Sequence, residues 1–191
     1  MLTLFGSHPS PYVRRIRILL AERDFEFIPL NIFGSEDRAV LTKINPTLKI
    51  PMLDDDGQII FDSSVIYRYL SEKYTYPVLD WQQENLLTCI NTVNDTMVQV
   101  MTMKRSGFKT GDDKFVFNLQ RERAGVLFNY LDDQAARGQF SEWDFPSIAL
   151  YCLLDWVNFR SLHDWSEHTN LCRFFQQHEH RAAVLDTIPH D

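Results

Sequence analysis

Every strand-like run in this 191-residue chain falls before residue 62. That asymmetry constrains the fold more than any single motif, because it confines a sheet to the N-terminal third and leaves the rest to helices. Residues 2–5 are a short apolar run ended by Gly6, and Phe25, Phe27 and Ile28 mark a second run that ends near Asn31. Residues 50–53 and 58–61 are two more, joined by Asp54-Asp55-Asp56-Gly57. An acidic turn closed by glycine is a strong hairpin signal. Helical patterns lie between these runs. Over residues 11–22, Val13, Ile16, Leu19 and Leu20 recur at helical spacing. Residues 35–44 form a weaker helix stopped by Asn45-Pro46, and 63–74 carry Val65, Ile66, Tyr69 and Leu70 on one side. The order is βαβαββα. Strands joined through a helix pair in parallel by a right-handed crossover, whereas the hairpin adds antiparallel strands, so the sheet is mixed.

Beyond residue 76 the period changes. Leu86, Ile90, Val93, Met97 and Val100 recur every three or four residues and predict a long helix to Arg105. Asp112-Asp113 opens a second helix that runs to Ala136, with Gly138 as its stop signal. Residues 146–162 are a third, strongly apolar helix, and short helices follow. The fold class is therefore α/β plus all-α. A βαβαββα domain spans 1–76, a linker around Tyr76-Pro77-Val78-Leu79 spans 77–84, and an all-helical domain spans 85–191.

The totals exclude several functions. The formal net charge is −7, opposite in sign to the basic face that general nucleic-acid binding needs. No stretch is long and apolar enough for a membrane span, and the N-terminus lacks the basic and apolar regions of a signal peptide. Cys89, Cys152 and Cys172 are an odd number without metal-like or CxxC spacing. They read as reduced, buried thiols of a cytoplasmic protein, with no metal.

Residues 45–74 read NPTLKIPMLDDDGQIIFDSSVIYRYLSEKY. An Asn-Pro pair, an Ile-Pro-Met-Leu strand start, a turn and an acidic-Ser pair opening a helix follow one another in that order. In combination, and with the element order on either side, they resemble the glutathione transferase superfamily over nearly the whole chain. SPYVRRIRILL, from Ser10, is similar to that family's first helix. The resemblance implies a thioredoxin-like N-terminal domain and a helical C-terminal bundle. It also implies a cis Ile50-Pro51 bond that turns the backbone of Ile50 outward to pair with an extended peptide. Without it, Pro51 reads as an ordinary strand-start proline. Ser63 would take the γ-glutamyl carboxylate of glutathione at a helix N-terminus, where unpaired N–H groups favour anions. Asp62 would face the ammonium group, with a shorter arm than the Glu or Gln common in the family. Either residue can equally be the helix cap. Lys49 would contact the glycine carboxylate; on composition alone it is a solvated surface lysine.

Ser10 raises the sharpest question. Glutaredoxins carry Cys-Pro-Tyr-Cys at the start of this helix, and here the same positions read Ser10-Pro11-Tyr12-Val13. Without either sulfur, dithiol exchange has neither attacker nor resolving thiol. Serine followed by proline is also a preferred helix start. The resemblance implies that Ser10 donates a hydrogen bond to the glutathione sulfur, favouring its thiolate. Ser7 is the rival donor, and His8 reads as a surface histidine. Arg14, Arg15 and Arg17 are expected to pair with carboxylates of the helical half.

A second substrate, a small electrophile, is expected against apolar residues, for which Tyr12, Met103, Phe108, Phe115, Trp156 and Phe159 are candidates. Where the family shows Ser/Thr-x-x-Asp at its core helix, this chain has Ser147 and Leu150, leaving Ser147 as the expected cap. The resemblance implies a homodimer with glutathione as co-substrate. The alternative is a non-catalytic protein of the same fold acting through a protein partner, since fold does not fix function.

Overall fold

β1 (Leu2–Gly6) is buried along nearly its whole length, as a strand covered on both faces must be. β2 (Glu26–Pro29) is exposed at both ends and no more than half-buried between them, as suits an edge strand. The computed structural model, which describes residues 1–191, arranges its strands accordingly. β3 (Met52–Asp55) and β4 (Gln58–Phe61) complete a four-stranded sheet of order β2-β1-β3-β4. β1 runs parallel to β2 and antiparallel to β3, and β3 antiparallel to β4. The mixed sheet expected from the element order is the one observed.

Three helices belong to this sheet: α1 (Pro11–Leu19), α2 (Ser35–Ile44) and α3 (Ser63–Tyr74). Val13 and Ile16 of α1 and Ile66 and Leu70 of α3 are fully buried with Leu4, Met52 and Leu53 of the sheet. α2 buries only Leu41, which explains its weak helical signal. Asp55, at the end of β3, ties α3 to the hairpin. Its carboxylate accepts from the Tyr69 hydroxyl (2.6 Å) and from the Lys73 ammonium, two α3 residues one turn apart.

The chain divides into two compact units. The first is Met1–Val78 together with Arg181–Asp191, and the second is Leu79–His180. The last residues, assigned on sequence to the helical domain of 85–191, thus pack with the sheet domain. They include α8 (Ala182–Leu185), whose Val184 carbonyl accepts from Arg14 of α1 (3.1 Å).

The second unit holds α4 (Trp81–Arg105), α5 (Phe115–Ala136), α6 (Phe145–Phe159) and α7 (Thr169–His178). α6 is buried almost all round, from Phe145 to Val157, as the central helix of a bundle should be. Its cap is Asp144, not Ser147. Asp144 Oδ1 accepts from the Ser147 amide (3.0 Å), while the Ser147 hydroxyl donates to the Glu142 carbonyl (2.6 Å). Asp144 Oδ2 also accepts from Gln83 Nε2 (2.8 Å), and Gln83 closes a capping box with Asp80 at the start of α4. One carboxylate therefore fixes two helix starts. α7 lacks a local side-chain cap, and Asp132 of α5 accepts from the amides of Asn170 and Leu171 instead.

Helix ends differ from expectation for local reasons. α5 begins at Phe115 rather than at Asp112-Asp113, because the Arg121 guanidinium takes the carbonyls of Thr110 and Asp112. Its end is as expected: Gly138, at φ 75°, donates to Ala135, and Gln139 donates to Gln134. α6 stops at Phe159, since Ser161 has turned to φ 48°. No helix is long and apolar enough to cross a membrane.

The Asp55 contacts predict an acid-side stability limb. Hydrogen bonds from Lys73 and Tyr69 hold its carboxyl below the usual carboxylate range. This contribution is fully present above about pH 3.9, the unfolded value, and is lost as pH falls through the lower folded value. Asp55→Asn should lower the Tm at neutral pH and leave it less dependent on pH in that acid range, as measured by calorimetric melts of both proteins.

Candidate functional site

The residues singled out between Ser10 and Ser63 fall on three loops at one end of the sheet. β1 leaves the sheet at Gly6 towards Ser10, the chain enters β3 from Ile50-Pro51, and β4 leaves at Phe61 towards Asp62-Ser63. The register brings these points together, because Met52 pairs with both Phe5 and Phe61. With neighbouring strands about 4.8 Å apart, the first and third loops are separated by roughly 10 Å.

Ser10 is the N-cap of α1, with Pro11 in the first turn. Its Oγ accepts from the Val13 amide at 3.3 Å, and its own amide donates to the Ser7 carbonyl at 3.2 Å. A hydroxyl has one donor and two acceptor positions, so capping leaves the Ser10 hydrogen free to donate outward. Val13, at the position of the second glutaredoxin cysteine, is fully buried. It presses on Gly6 so closely that a Cβ there would lie 2.4 Å from Val13 Cγ2. Only glycine lets α1 start this near the end of β1.

The second loop is held by a residue whose role was not read from the sequence. Asn45 is fully buried, and its amide donates to the Lys49 carbonyl (2.8 Å). Its Oδ1 accepts from the amide (3.0 Å) and hydroxyl (2.7 Å) of Thr47. These bonds shape the bend in which Leu48 takes φ 55° and from which Lys49 projects, exposed. The signal was present as Asn-Pro-Thr, since asparagine side chains bond the backbone two residues on. Its use to end α2 hid its use to build the loop. The Ile50-Pro51 bond is cis. Pro51 is buried and Ile50 half-buried.

The third loop places Asp62 at φ 72° and ψ 130°, a region that side chains rarely adopt. Asp62 Oδ1 caps α3 by accepting from the amides of Ser64 (2.9 Å) and Val65 (3.2 Å). Asp62 is exposed, while Ser63, the first helical residue, is 2% exposed. The arrangement offers a helix N-terminus, a hydroxyl and a carboxylate side by side, chemistry suited to an amino-acid end group.

The other candidates are dispersed. Tyr12 is half-buried on α1, with the Arg15 guanidinium 4.9 Å from its ring centre. Met103 and Phe115 flank the turn between α4 and α5, where Phe108 is 60% exposed. Trp156 is buried, and Phe159, three residues on, carries the Arg160 guanidinium over its ring. His8 is not the free surface histidine expected. It lies half-buried with its ring edge-on to Phe27. Arg17 rests over Phe27 and reaches the Asp186 carbonyl, rather than a carboxylate of the helical half.

A thioredoxin-like mixed sheet continued by a helical unit, with these three loops at its edge, defines a class. Residues 4–78 match the family model for the glutathione S-transferase N-terminal domain. The chain is 27% identical over 172 residues, 83% of each protein, to the uncharacterized GST-like protein YibF of Escherichia coli. It is 40% identical over 81 residues to glutathione S-transferase Z1 of Arabidopsis thaliana, 41% of this chain but only 37% of that protein. The crystal structure of a glutathione transferase family member from Pseudomonas fluorescens Pf-5, with bound glutathione, is similar at TM-score 0.83 and 26% identity, with 100% of both chains covered. Residues 4–78 are thus a glutathione S-transferase N-terminal domain, and the chain as a whole resembles the glutathione transferases in sequence and fold.

Asn45 gives this site a direct test. Asn45→Ala removes one donor and one doubly used acceptor from a buried position, which should cost about 1–3 kcal/mol. Urea unfolding should show a lower midpoint, and Asn45→Asp should not restore it, since a carboxylate cannot donate to the Lys49 carbonyl.

Proposed function

We propose that the protein binds glutathione along the edge formed by these three loops and activates its thiol for attack on a small electrophile. The convergence of Ser10, Ile50 and Ser63 at one end of the sheet carries this reading. The likeness to a family member with bound glutathione supports it. In this assignment, the Ser63 hydroxyl and the α3 N-terminus take the γ-glutamyl carboxylate. Asp62, whose Oδ1 is occupied by capping, meets the ammonium group through Oδ2. Ile50, preceding Pro51, pairs through its backbone with the cysteinyl residue, and exposed Lys49 meets the glycine carboxylate.

The tripeptide brings the nucleophile. A free thiol has a pKa of about 8.5, and both a helix N-terminus and a hydrogen bond to the charged form lower it. Ser10 supplies both, since it caps α1 and keeps its hydrogen. The thiolate attacks the electrophile, a carbon–sulfur bond forms, and the leaving group departs with its electron pair or, with an activated alkene, the adjacent carbon takes a proton. Tyr12, two residues beyond Ser10, is assigned to the electrophile's side. The family likeness extends the proposal to a cytoplasmic homodimer with no metal.

Calorimetry with reduced glutathione should give one site per chain, weakened about tenfold or more in Ser63→Ala, the scale of a lost hydrogen bond to a charged group. Ser10→Ala should keep binding but lower kcat/KM with aryl halides or enones by about 100-fold, the scale of losing one preorganised donor to a developing or resident anion. Absence of binding at millimolar glutathione would refute the site. Binding without turnover on any electrophile would favour the non-catalytic alternative.

A further inference from the structure

Arg181–Asp191 returns to the first unit and lies along α1. Arg14, fully enclosed in α1, donates from Nε to Thr187 Oγ1 (3.2 Å) and from Nη2 to the Val184 carbonyl (3.1 Å). One turn further along, Arg17 Nη2 points at the Asp186 carbonyl (3.5 Å), and its guanidinium covers Phe27 at 4.6 Å. The segment ends with His190 laid on His8, ring centres 4.2 Å apart and planes 30° apart. His8 in turn sets its ring on Phe27 of β2, at 5.2 Å and 77°. His8 belongs to the loop of residues 7–10, between Ser7 and Ser10, which are joined by a backbone hydrogen bond. The C-terminal segment therefore grips the Ser10 loop from the side of β2.

We propose that residues 181–191 form a pH-responsive clasp on the 7–10 loop, closed while the His8 ring under His190 is neutral and released when His8 takes up a proton. A neutral His8 ring can lie against His190 at 4.2 Å, whereas an imidazolium in that half-buried place, near the Arg17 guanidinium, is disfavoured. The surroundings oppose charge as well. Burial pushes the His8 pKa down, and His190 and Arg17 push it the same way. α1 presents Arg14 and Arg17 to this corner, β2 presents the uncharged Phe27 ring, and the segment itself contributes His190, with Asp186 and Asp191 on either side in sequence. The sign follows from the depressed value. The closed form keeps its full advantage above the ordinary histidine value of about 6.5, and loses it as pH falls from there through the lower value of the closed state. Opening frees the loop at the start of α1. If Ser10 holds a thiolate, as proposed above, acid then weakens that hold, although the clasp itself does not depend on glutathione.

Hydrogen–deuterium exchange on the full chain, without glutathione, tests this independently of the functional assignment. Wild type and His190→Phe are compared at about pH 7.5 and about pH 5.5, either side of the ordinary histidine value and corrected for intrinsic rates. Phenylalanine keeps a flat ring on His8 but removes the electrostatic influence of His190 on it. In wild type, peptides covering 7–17 and 181–191 should lose protection about tenfold at the lower pH, while 52–61 keep theirs. His190→Phe should reduce that loss severalfold. Wild type that stays protected, a variant that opens as much as wild type, or loss that extends equally over 52–61 each overturns the clasp.

Discussion

Met52 faces Phe5 of β1 on one side and Phe61 of β4 on the other. This double pairing of β3 determines where every loop at that end of the sheet emerges. A slip of one residue on either side would exchange the faces on which Met52 and Leu53, both fully buried, pack, a change the core cannot accommodate. Pro51 reinforces the register. It has no N–H to donate, so it cannot extend the β3 ladder by its own amide. The Ile50 backbone, the Ser10 loop and the start of α3 are consequences of this one constraint.

Around it, single side chains set the helices that carry the site. Val13 against Gly6 fixes how close α1 starts to β1, and Asp62 fixes where α3 begins. Asp55 latches α3 at the far end of the hairpin through Tyr69 and Lys73. Asn45 shapes the approach to Pro51. Each is a short polar contact or a close approach, and none spans more than 18 residues of sequence. The loops are thus preorganised from behind by groups that, apart from Asp62, need not touch a ligand.

The order of elements was legible because periodicity is local: alternation and turn signals marked the strands, and three-to-four spacing marked the helices. The positions of Ser10, Ile50-Pro51 and Asp62-Ser63 at element boundaries were legible for the same reason. Other features were not. The return of 181–191 to α1 depends on contacts such as Arg14 with Thr187, 173 residues apart, for which no periodic pattern exists. Ser147 looked like the α6 cap because serine is a good cap. Asp144, three residues earlier, is another, and it also meets Gln83 across the bundle. Of the three arginines expected to seek carboxylates, Arg17 instead takes a backbone carbonyl and an aromatic face, which serve a guanidinium equally well.

The central claim is that three loops, set by the pairing of β3, act together on one tripeptide. A crystal structure of the protein with reduced glutathione tests it most directly. The account predicts the cysteinyl backbone paired with Ile50, the γ-glutamyl carboxylate on Ser63 and the sulfur within hydrogen-bonding distance of Ser10 Oγ. A tripeptide bound away from this edge, or lying on it with its sulfur held by another residue and Ser10 Oγ serving α1 alone, would contradict it.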